Sequence, residues 1–127
     1  MNIQNRIIEI VNSYSYDEDV LEFVKAYENN PYEEGEIIYL NANIDNKFIG
    51  NTEEEIAKKV AKQIIQYRIR EKAFIKLMSK GILHPVGIGT GMEDKRVEYQ
   101  WGSYNMRHSC NTSVFFPRSI FVSFMKV

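Results

Sequence analysis

The chain has 127 residues, 44% hydrophobic and 26% charged, with a formal net charge of −1, which is typical of a globular protein and argues against disorder. No apolar run approaches the roughly 18 to 20 residues of a membrane span, and the N-terminal stretch lacks the features of a secretory signal. Cys110 is the only cysteine, so no internal disulfide can form. We therefore predict one α+β domain over 1–127, located in the cytoplasm, or in the host cytoplasm if a phage encodes the chain.

Charged residues are divided unequally along the chain. Residues 1–57 contain thirteen acidic and three basic residues, whereas residues 58–127 contain thirteen basic and four acidic ones. This segregation indicates that the basic part meets something negative. The alternatives are an external anion or the acidic part of the protein itself, in the same copy or in another copy.

Two short helices and a hairpin are predicted first. Apolar residues recur at helical spacing over 3–14, and "SYDE" reads as a capping box in which Ser15 caps a second helix over about 16–28. The segments "EIIYLNANI" and "KFIG" then resemble short strands joined at Asp45–Asn46. The sequence thus predicts two helices followed by a β-hairpin.

A long helix is predicted over 53–80. "TEEE" at 52–55 is a second capping box, and Gly81 is the expected C-terminal cap. On a helical wheel one arc is apolar and is expected to face the core: Ile56, Ala57, Val60, Ile64, Tyr67, Phe74, Ile75 and Met78. A second arc forms a basic ridge of Lys58, Lys62, Arg68, Lys72, Lys76 and Lys80, whose candidate binding residues are Arg68, Lys72 and Lys76. The ridge is expected to contact phosphates of a nucleotide or nucleic acid, and the alternatives are a solvated face or contact with an acidic surface of another subunit or a target protein.

Glu71 falls inside the apolar arc of this helix. A buried carboxylate is costly unless it is paired or protonated. We expect either a structural salt bridge, with Arg107 or Arg118 as the partner, or a carboxylate tuned for acid–base work.

The pattern changes to β after Gly81, with strands predicted near 82–89, 95–104, 112–116 and 119–126. The last strand is apolar on both faces, which favours a central position under the long helix or a subunit interface. The predicted fold is therefore α+β, with two short N-terminal helices, a β-hairpin and one long helix packed on a C-terminal antiparallel sheet.

The stretch "GIGTG" at 87–91 is the candidate ligand-binding element. It is neither a dinucleotide fingerprint nor a P-loop, because Met92 replaces the third glycine and a strand, not a helix, follows. Alternating glycines leave one strand face open, and a hairpin partner would offer aromatic rings and arginines to an anionic ligand. The predicted ligand-binding residues are Gly87, Gly89, Gly91, Arg96, Tyr99, Trp101, Arg107 and Arg118. The simpler alternative is a plain hairpin with a flexible arm.

No catalytic residue, metal site or cofactor is predicted. Cys110 with His84 or His108 lacks the helix N-terminus that usually lowers a thiol pKa, and two histidines with one cysteine are too few for a zinc site. Paired carboxylates and Ser–His–Asp spacing are also missing from the sequence. We expect a protein that is not an enzyme, and the alternative is an enzyme centred on Glu71 or Cys110.

These features predict a small non-enzymatic protein that binds or sequesters an anionic nucleotide-type ligand, forms a homo-oligomer and has no membrane contact. Sixteen isoleucines and eleven asparagines are typical of AT-rich genes, which favours a phage or mobile-element anti-defence protein. The alternative is a protein–protein inhibitor or immunity-type factor that blocks a target by charge complementarity. The acidic stretches "YDEDVLEF" and "YEEGE" favour that alternative.

Overall fold

The computed structural model describes residues 2–29, 37–40, 47–92, 96–101, 110–115 and 119–126, with side chains for 2–29, 47–84 and 98–101. Three helices and six strands lie within these ranges. In chain order they are α1 (Ile3–Ser13), α2 (Asp17–Glu28), β1 (Ile37–Leu40), β2 (Lys47–Gly50), α3 (Glu53–Ser79), β3 (Leu83–Met92), β4 (Arg96–Trp101), β5 (Cys110–Phe115) and β6 (Ser119–Lys126).

The chain divides into two compact units, and each is assembled from three separate segments. Unit 1 comprises Met1–Tyr14, Asn43–Ile65 and Asp94–Pro117, and so contains α1, β2, the first part of α3, β4 and β5. Unit 2 contains the remaining elements, and its segments are Ser15–Ala42, Gln66–Glu93 and Arg118–Val127. Helix α3 is therefore one continuous element that contributes to both units. The single domain expected from the sequence stays a prediction.

The two short helices lie close to their predicted positions. Helix α1 begins after Asn2, whose Oδ1 accepts hydrogen bonds from the backbone amides of Gln4 (3.0 Å) and Asn5 (3.3 Å). The predicted capping box at Ser15 is wrong, because Tyr16 is the N-cap of α2 and makes no side-chain capping bond. Three acidic residues in the first turn of α2 face its amide end instead, where the helix dipole favours negative charge.

The N-terminal cap of α3 forms as predicted at Thr52. The Oγ1 atom of Thr52 accepts a hydrogen bond from the backbone amide of Glu55 at 3.1 Å. The carboxylate of Glu55 reaches one residue further back than a capping box requires, and accepts from the backbone amide of Asn51 at 3.2 Å. Both contacts fix where the helix begins.

The C-terminal cap of α3 is a Schellman motif at Gly81. The φ angle of Gly81 is +74°, which is the left-handed conformation that glycine adopts readily. The amide of Gly81 donates to the carbonyl of Met78 and the amide of Ile82 donates to that of Leu77, both at 3.0 Å. The predicted end of the long helix is confirmed.

The buried stripe of α3 drifts around the helix between its two parts. In unit 1 the buried residues are Ile56, Ala57, Val60, Ala61, Ile64 and Ile65. In unit 2 they are Tyr67, Ala73, Phe74 and Leu77. At about 100° per residue, Ala73 and Leu77 lie on the opposite side of Phe74 from Ile75. Ile75 is consequently 48% exposed, and Glu71 is half-buried rather than buried as predicted.

Aromatic packing joins α2 to α3 within unit 2. The ring of Phe74 meets the rings of Phe23 and Tyr27 edge-on, with centroids 5.9 and 6.0 Å apart. Lys80 after the end of α3 pairs with Glu28 at the end of α2, with Nζ and Oε1 2.7 Å apart. These contacts determine which faces of α2 and α3 are left exposed.

Unit 2 contains a three-stranded antiparallel sheet in the order β1–β6–β3. Strand β6 lies between the other two strands, so of the two predicted alternatives the strand order supports a central place in the sheet, while a position under the long helix and a subunit interface stay predictions. Pro85 is tolerated in β3 because that strand lies at the edge of the sheet.

The sheet of unit 1 contradicts the predicted antiparallel fold. Its order is β2–β4–β5, and β2 runs parallel to β4 while β4 and β5 are antiparallel. The predicted hairpin between β1 and β2 is wrong, since β1 pairs with β6 and β2 with β4. A parallel pair needs a long crossover connection, and the chain between β2 and β4, which includes α3 and β3, provides it.

Candidate functional site

Three of the predicted binding residues lie together on α3 within unit 2. We call Arg68, Lys72 and Lys76 the basic face. Their spacing of four residues puts them on one side of the helix at intervals of about 6 Å, so the row is about 12 Å long. Lys72 and Lys76 are exposed and Arg68 is half-buried.

The basic face differs from three other lysines of the α3 region in its lack of carboxylate partners. The Nζ atom of Lys58 lies 3.9 Å from Oε1 of Glu54, and the Nζ atom of Lys59 lies 3.2 Å from Oε1 of Glu55. Lys80 is paired with Glu28. Among the described side chains, none of the three residues of the basic face forms a salt bridge. Their positive charge is therefore not neutralised by that part of the protein.

Lys72 is held over an aromatic ring. Its Nζ atom lies 5.3 Å from the ring centroid of Tyr16, the N-cap residue of α2. A cation–π contact at an exposed site contributes about 0.5 to 1 kcal/mol, enough to favour one position of the ammonium group without removing its charge. The side chain of Ile75, close to Lys72 on the helix surface, adds an exposed aliphatic group beside the row.

Tyr99 and Trp101, predicted as stacking residues, stack on each other within unit 1. Their ring centroids are 5.7 Å apart with an interplanar angle of 27°. Tyr99 is only 2% exposed, so its ring has no face open to a ligand, while Trp101 is half-buried. Side chains alternate along β4, and this pair belongs to the face that packs inward with Phe48.

The glycine-rich strand is not paired with the strand that carries these aromatic rings. Gly87 and Gly89 of β3 lie opposite Ser123 and Phe121 of β6, and β4 belongs to the other sheet. The hairpin that would have joined β3 to β4 is therefore wrong. An irregularity between Thr90 and Met92 also interrupts the alternation that would place Gly91 on the same face as the other two glycines.

Strands β2 and β4 together line a small groove that the sequence did not predict. Its volume is about 180 Å³, and it is lined by Lys47, Phe48, Ile49, Glu98, Tyr99 and Gln100. Lys47 lies opposite Glu98 in the parallel register, so the groove carries both signs of charge. The pairing that creates it joins residues about fifty positions apart, and no local pattern signals such a pairing.

The other predicted site residues are only partly described. Arg96 is the first residue of β4, opposite Phe115 of β5, while Arg107 and Arg118 lie outside the described residues, as does His108. Cys110 begins β5 opposite Trp101.

Within the described part of the chain, no three side chains of His, Cys, Asp or Glu form a group that could hold a metal ion. In the same residues, no helix is both long and apolar enough to cross a membrane.

The ion pair between α1 and α3 in unit 1 is structural. The guanidinium of Arg6 on α1 binds the carboxylate of Glu54 on α3 through Nη2 (2.7 Å) and Nε (2.9 Å). This fork of hydrogen bonds lowers the pKa of Glu54 and raises that of Arg6. The pKa of Glu55 is also lowered, first by the amide of Asn51 and then by Lys59. These contacts hold the first turn of α3 in place.

The basic face is the predicted group whose side chains the described structure brings together at the surface. Tyr99 is buried, the glycines lie in the other sheet from Tyr99 and Trp101, and two arginines are outside the described residues. No protein-family model, curated protein or solved structure matches this chain.

Proposed function

We propose that this chain is a non-enzymatic binding protein that holds an anionic ligand of nucleotide type on the basic face of α3. The observation that carries the proposal is the lack of carboxylate partners for Arg68, Lys72 and Lys76 among the described residues, while Lys58, Lys59 and Lys80 are paired. Cations that a fold leaves unneutralised in a row attract anions from solution.

The geometry of the row favours a ligand with several separated negative charges. Three cations spread over about 12 Å contact an extended polyanion more completely than a single compact ion. Arg68 supplies a planar fork that suits phosphate oxygens, whereas the two lysines supply point charges. A phosphorylated nucleotide or a short oligonucleotide has this distribution of charge.

A simpler role for the same residues is to complement the negative end of the helix dipole. Lys76 lies in the last turn of α3, where a cation contributes about 0.3 to 1 kcal/mol to stability. The two roles predict different mutant behaviour. A residue that only complements the dipole affects stability and leaves ligand binding unchanged.

Sequestration is the mode of action that this proposal implies. A protein that binds a nucleotide without transforming it acts by lowering the free concentration of that nucleotide. The isoleucine- and asparagine-rich composition supports origin in a phage or mobile element, and with it a role against a nucleotide signal of host defence. That role is part of the proposal.

The first experiment is native mass spectrometry of the gently purified protein, repeated after denaturation. We expect extra mass on the native protein that is released on denaturation and identifies the ligand. Isothermal titration with ATP, with adenosine as the uncharged control, then measures the contribution of phosphate. We expect the triple variant R68A/K72A/K76A to lower the affinity for ATP at least about tenfold, a loss of about 1.4 kcal/mol.

Lys62 provides the matched control for this titration. It is an exposed lysine on the part of α3 that belongs to unit 1, and it too has no carboxylate partner among the described side chains, so it tests whether position on the helix matters beyond charge alone. The variant K62A should bind ATP like the original chain, and the loss in the triple variant should shrink at high salt, where exposed charges are screened. Equal binding by the triple variant and the original chain would refute the proposal.

A second function is favoured by the exposed side of α2. Asp17, Glu18 and Glu22 are exposed on that helix, and Leu21 between them is 47% exposed. An inhibitor or immunity-type factor would use such a surface to cover a basic site on a target protein. A specific partner whose affinity falls steeply with salt, and is lost in E18K/E22K but kept in R68A/K72A/K76A, would support this function over nucleotide binding.

A further inference from the structure

Helix α2 leaves one side open, which we call the acidic face: Asp17, Glu18, Leu21 and Glu22. The three carboxylates are exposed, and Leu21 is 47% exposed. The opposite side of the helix is buried through Val20, Val24 and Tyr27. The acidic face is therefore turned away from the core of unit 2.

The acidic face and the basic face resemble each other in composition but carry opposite charges. Each has three charged side chains and, at its edge or centre, one exposed aliphatic side chain, Leu21 on α2 and Ile75 on α3. Ile75 is 48% exposed, so the two aliphatic groups are open to a similar degree. A contact between the two faces would pair the charges and cover both aliphatic groups.

In the described part of the chain, no salt bridge joins the two faces within one copy. Lys80 and Glu28 form an ion pair between the ends of α3 and α2, and both residues lie outside the two faces. Among the described side chains, no ion pair joins Asp17, Glu18 or Glu22 to a base. Each face is open to a partner of the opposite charge.

We propose that the partner is a second copy of this chain, with the acidic face of one copy bound to the basic face of the other. The formal net charge is −1, so two copies repel each other very little at long range despite their strongly charged surfaces. Opposite charges at short range and two covered aliphatic groups then favour association. A single copy carries both halves of the contact.

This contact regulates the site of the proposed function. An acidic face seated on the basic face occupies the cations that an anionic ligand needs. Self-association and ligand binding are then mutually exclusive at that site, and by linkage a polyanionic ligand separates the copies. The competition rests on the proposed function, whereas the self-association does not.

Sedimentation velocity over a range of protein concentrations tests the association. We expect a concentration-dependent increase in sedimentation coefficient at about 50 mM salt that is lost at about 500 mM salt, where exposed charges are screened. Two charge-reversed variants are compared with the original chain, E18K/E22K and K72E/K76E. Each variant alone should associate at least about tenfold more weakly, because its two faces then carry the same sign of charge.

The decisive sample is an equimolar mixture of the two variants. The reversed α2 face of one variant is complementary to the reversed α3 face of the other, and their remaining faces are complementary as well. We expect the mixture to recover association, which a variant that had failed to fold would not do. The variant K62E serves as the control and should associate like the original chain.

Two results would overturn this inference: a monomeric original chain at every concentration in low salt, or a mixture that stays monomeric while both variants are folded by circular dichroism. Titration of E18K/E22K with ATP separates the inference from the proposed function, since this variant keeps the basic face. If ATP binds but the original chain does not self-associate, the proposed function is supported and the contact between copies is refuted. If the chain self-associates but does not bind ATP, the contact between copies is supported and the proposed function is refuted.

Discussion

The ion pair between Arg6 and Glu54 makes the stability of unit 1 depend on pH. The pKa of Glu54 lies below its ordinary value of 4.5 because the Arg6 guanidinium binds the ionised carboxylate. A group whose pKa is lower in the folded state stabilises the fold above its unfolded pKa, and that contribution is lost as the pH falls through the folded value.

The variant E54Q should therefore be less stable than the original chain at pH 7 and nearly equal to it at strongly acidic pH. The amide cannot carry the charge that Arg6 binds, so the difference in free energy of unfolding disappears once the carboxylate of the original chain is protonated. Urea denaturation at a series of pH values measures that difference. E9Q is the control, because Glu9 has a 67% exposed side chain and meets Arg6 through one oxygen atom. A difference that is constant with pH would contradict the prediction.

Gly81 is a second residue whose replacement has a defined effect. A Cβ at this position would meet no atom within 4 Å, so the positive φ of +74° is the only obstacle to a side chain. We expect G81A to lower the free energy of unfolding by about 1 to 2 kcal/mol, the strain of a left-handed conformation. G81N should lose less, since asparagine tolerates this conformation better. Thermal denaturation followed by circular dichroism compares the variants, and equal losses would argue against strain as the cause.

The caps of α3 were predictable because their causes are local, although the equally local capping box at Ser15 was predicted and does not form. Thr52 and Gly81 cap α3 through atoms within five residues of themselves, so sequence alone locates both ends of the helix. The environment of Glu71 was not predictable, because burial depends on what packs against the helix. The same limit applies to Tyr99, which is buried at 2% exposure although a stacking role was predicted for its ring.

At the scale of elements, the buried stripe drifts around α3. The burial of Ile75 and Leu77 is therefore the reverse of what a regular helical wheel predicts. Leu77 is fully buried, whereas Ile75, which the apolar arc included, is 48% exposed. We expect L77A to cost about 2 to 5 kcal/mol in free energy of unfolding, the usual range for a buried leucine. I75A should cost no more than about 0.5 kcal/mol as a surface substitution. Urea denaturation of both variants measures the two losses in free energy of unfolding. A larger loss for I75A than for L77A would mean that the regular helical wheel describes the buried side correctly.

Helices were easier to predict than strand pairing for a physical reason. A helix is stabilised by contacts between residues three or four apart, which leave a periodic pattern in the sequence. Strand partners are chosen by burial over long separations, so neighbouring strands in the chain need not pair. The apolar strand β6 takes a place between β1 and β3, and β2 pairs with β4 across α3 and β3. The predicted groove between β3 and β4 is wrong because it required a hairpin that does not form. The three residues of the basic face lie on one side of α3 because their position depends only on helical spacing.

At the scale of the whole molecule, α3 is the element that both units share. Trp101 is the only tryptophan and belongs to unit 1, while Leu77 belongs to unit 2. We expect L77A to lower the urea midpoint reported by Trp101 fluorescence as much as the midpoint reported by far-ultraviolet circular dichroism. A continuous helix that loses its packing in one unit also weakens the other. A Trp101 midpoint that does not move would show that the units unfold independently.

The interleaved segments have a consequence for the order of events at the ribosome. The chain passes back and forth between the units, so neither can be completed before the last third of the polypeptide has emerged. Strands β1 and β3 are synthesised well before β6, the strand that lies between them, and until β6 arrives their pairing edges are open to other nascent chains. Slow translation, or premature release upstream of β6, would therefore yield aggregation-prone intermediates rather than a folded half of the protein.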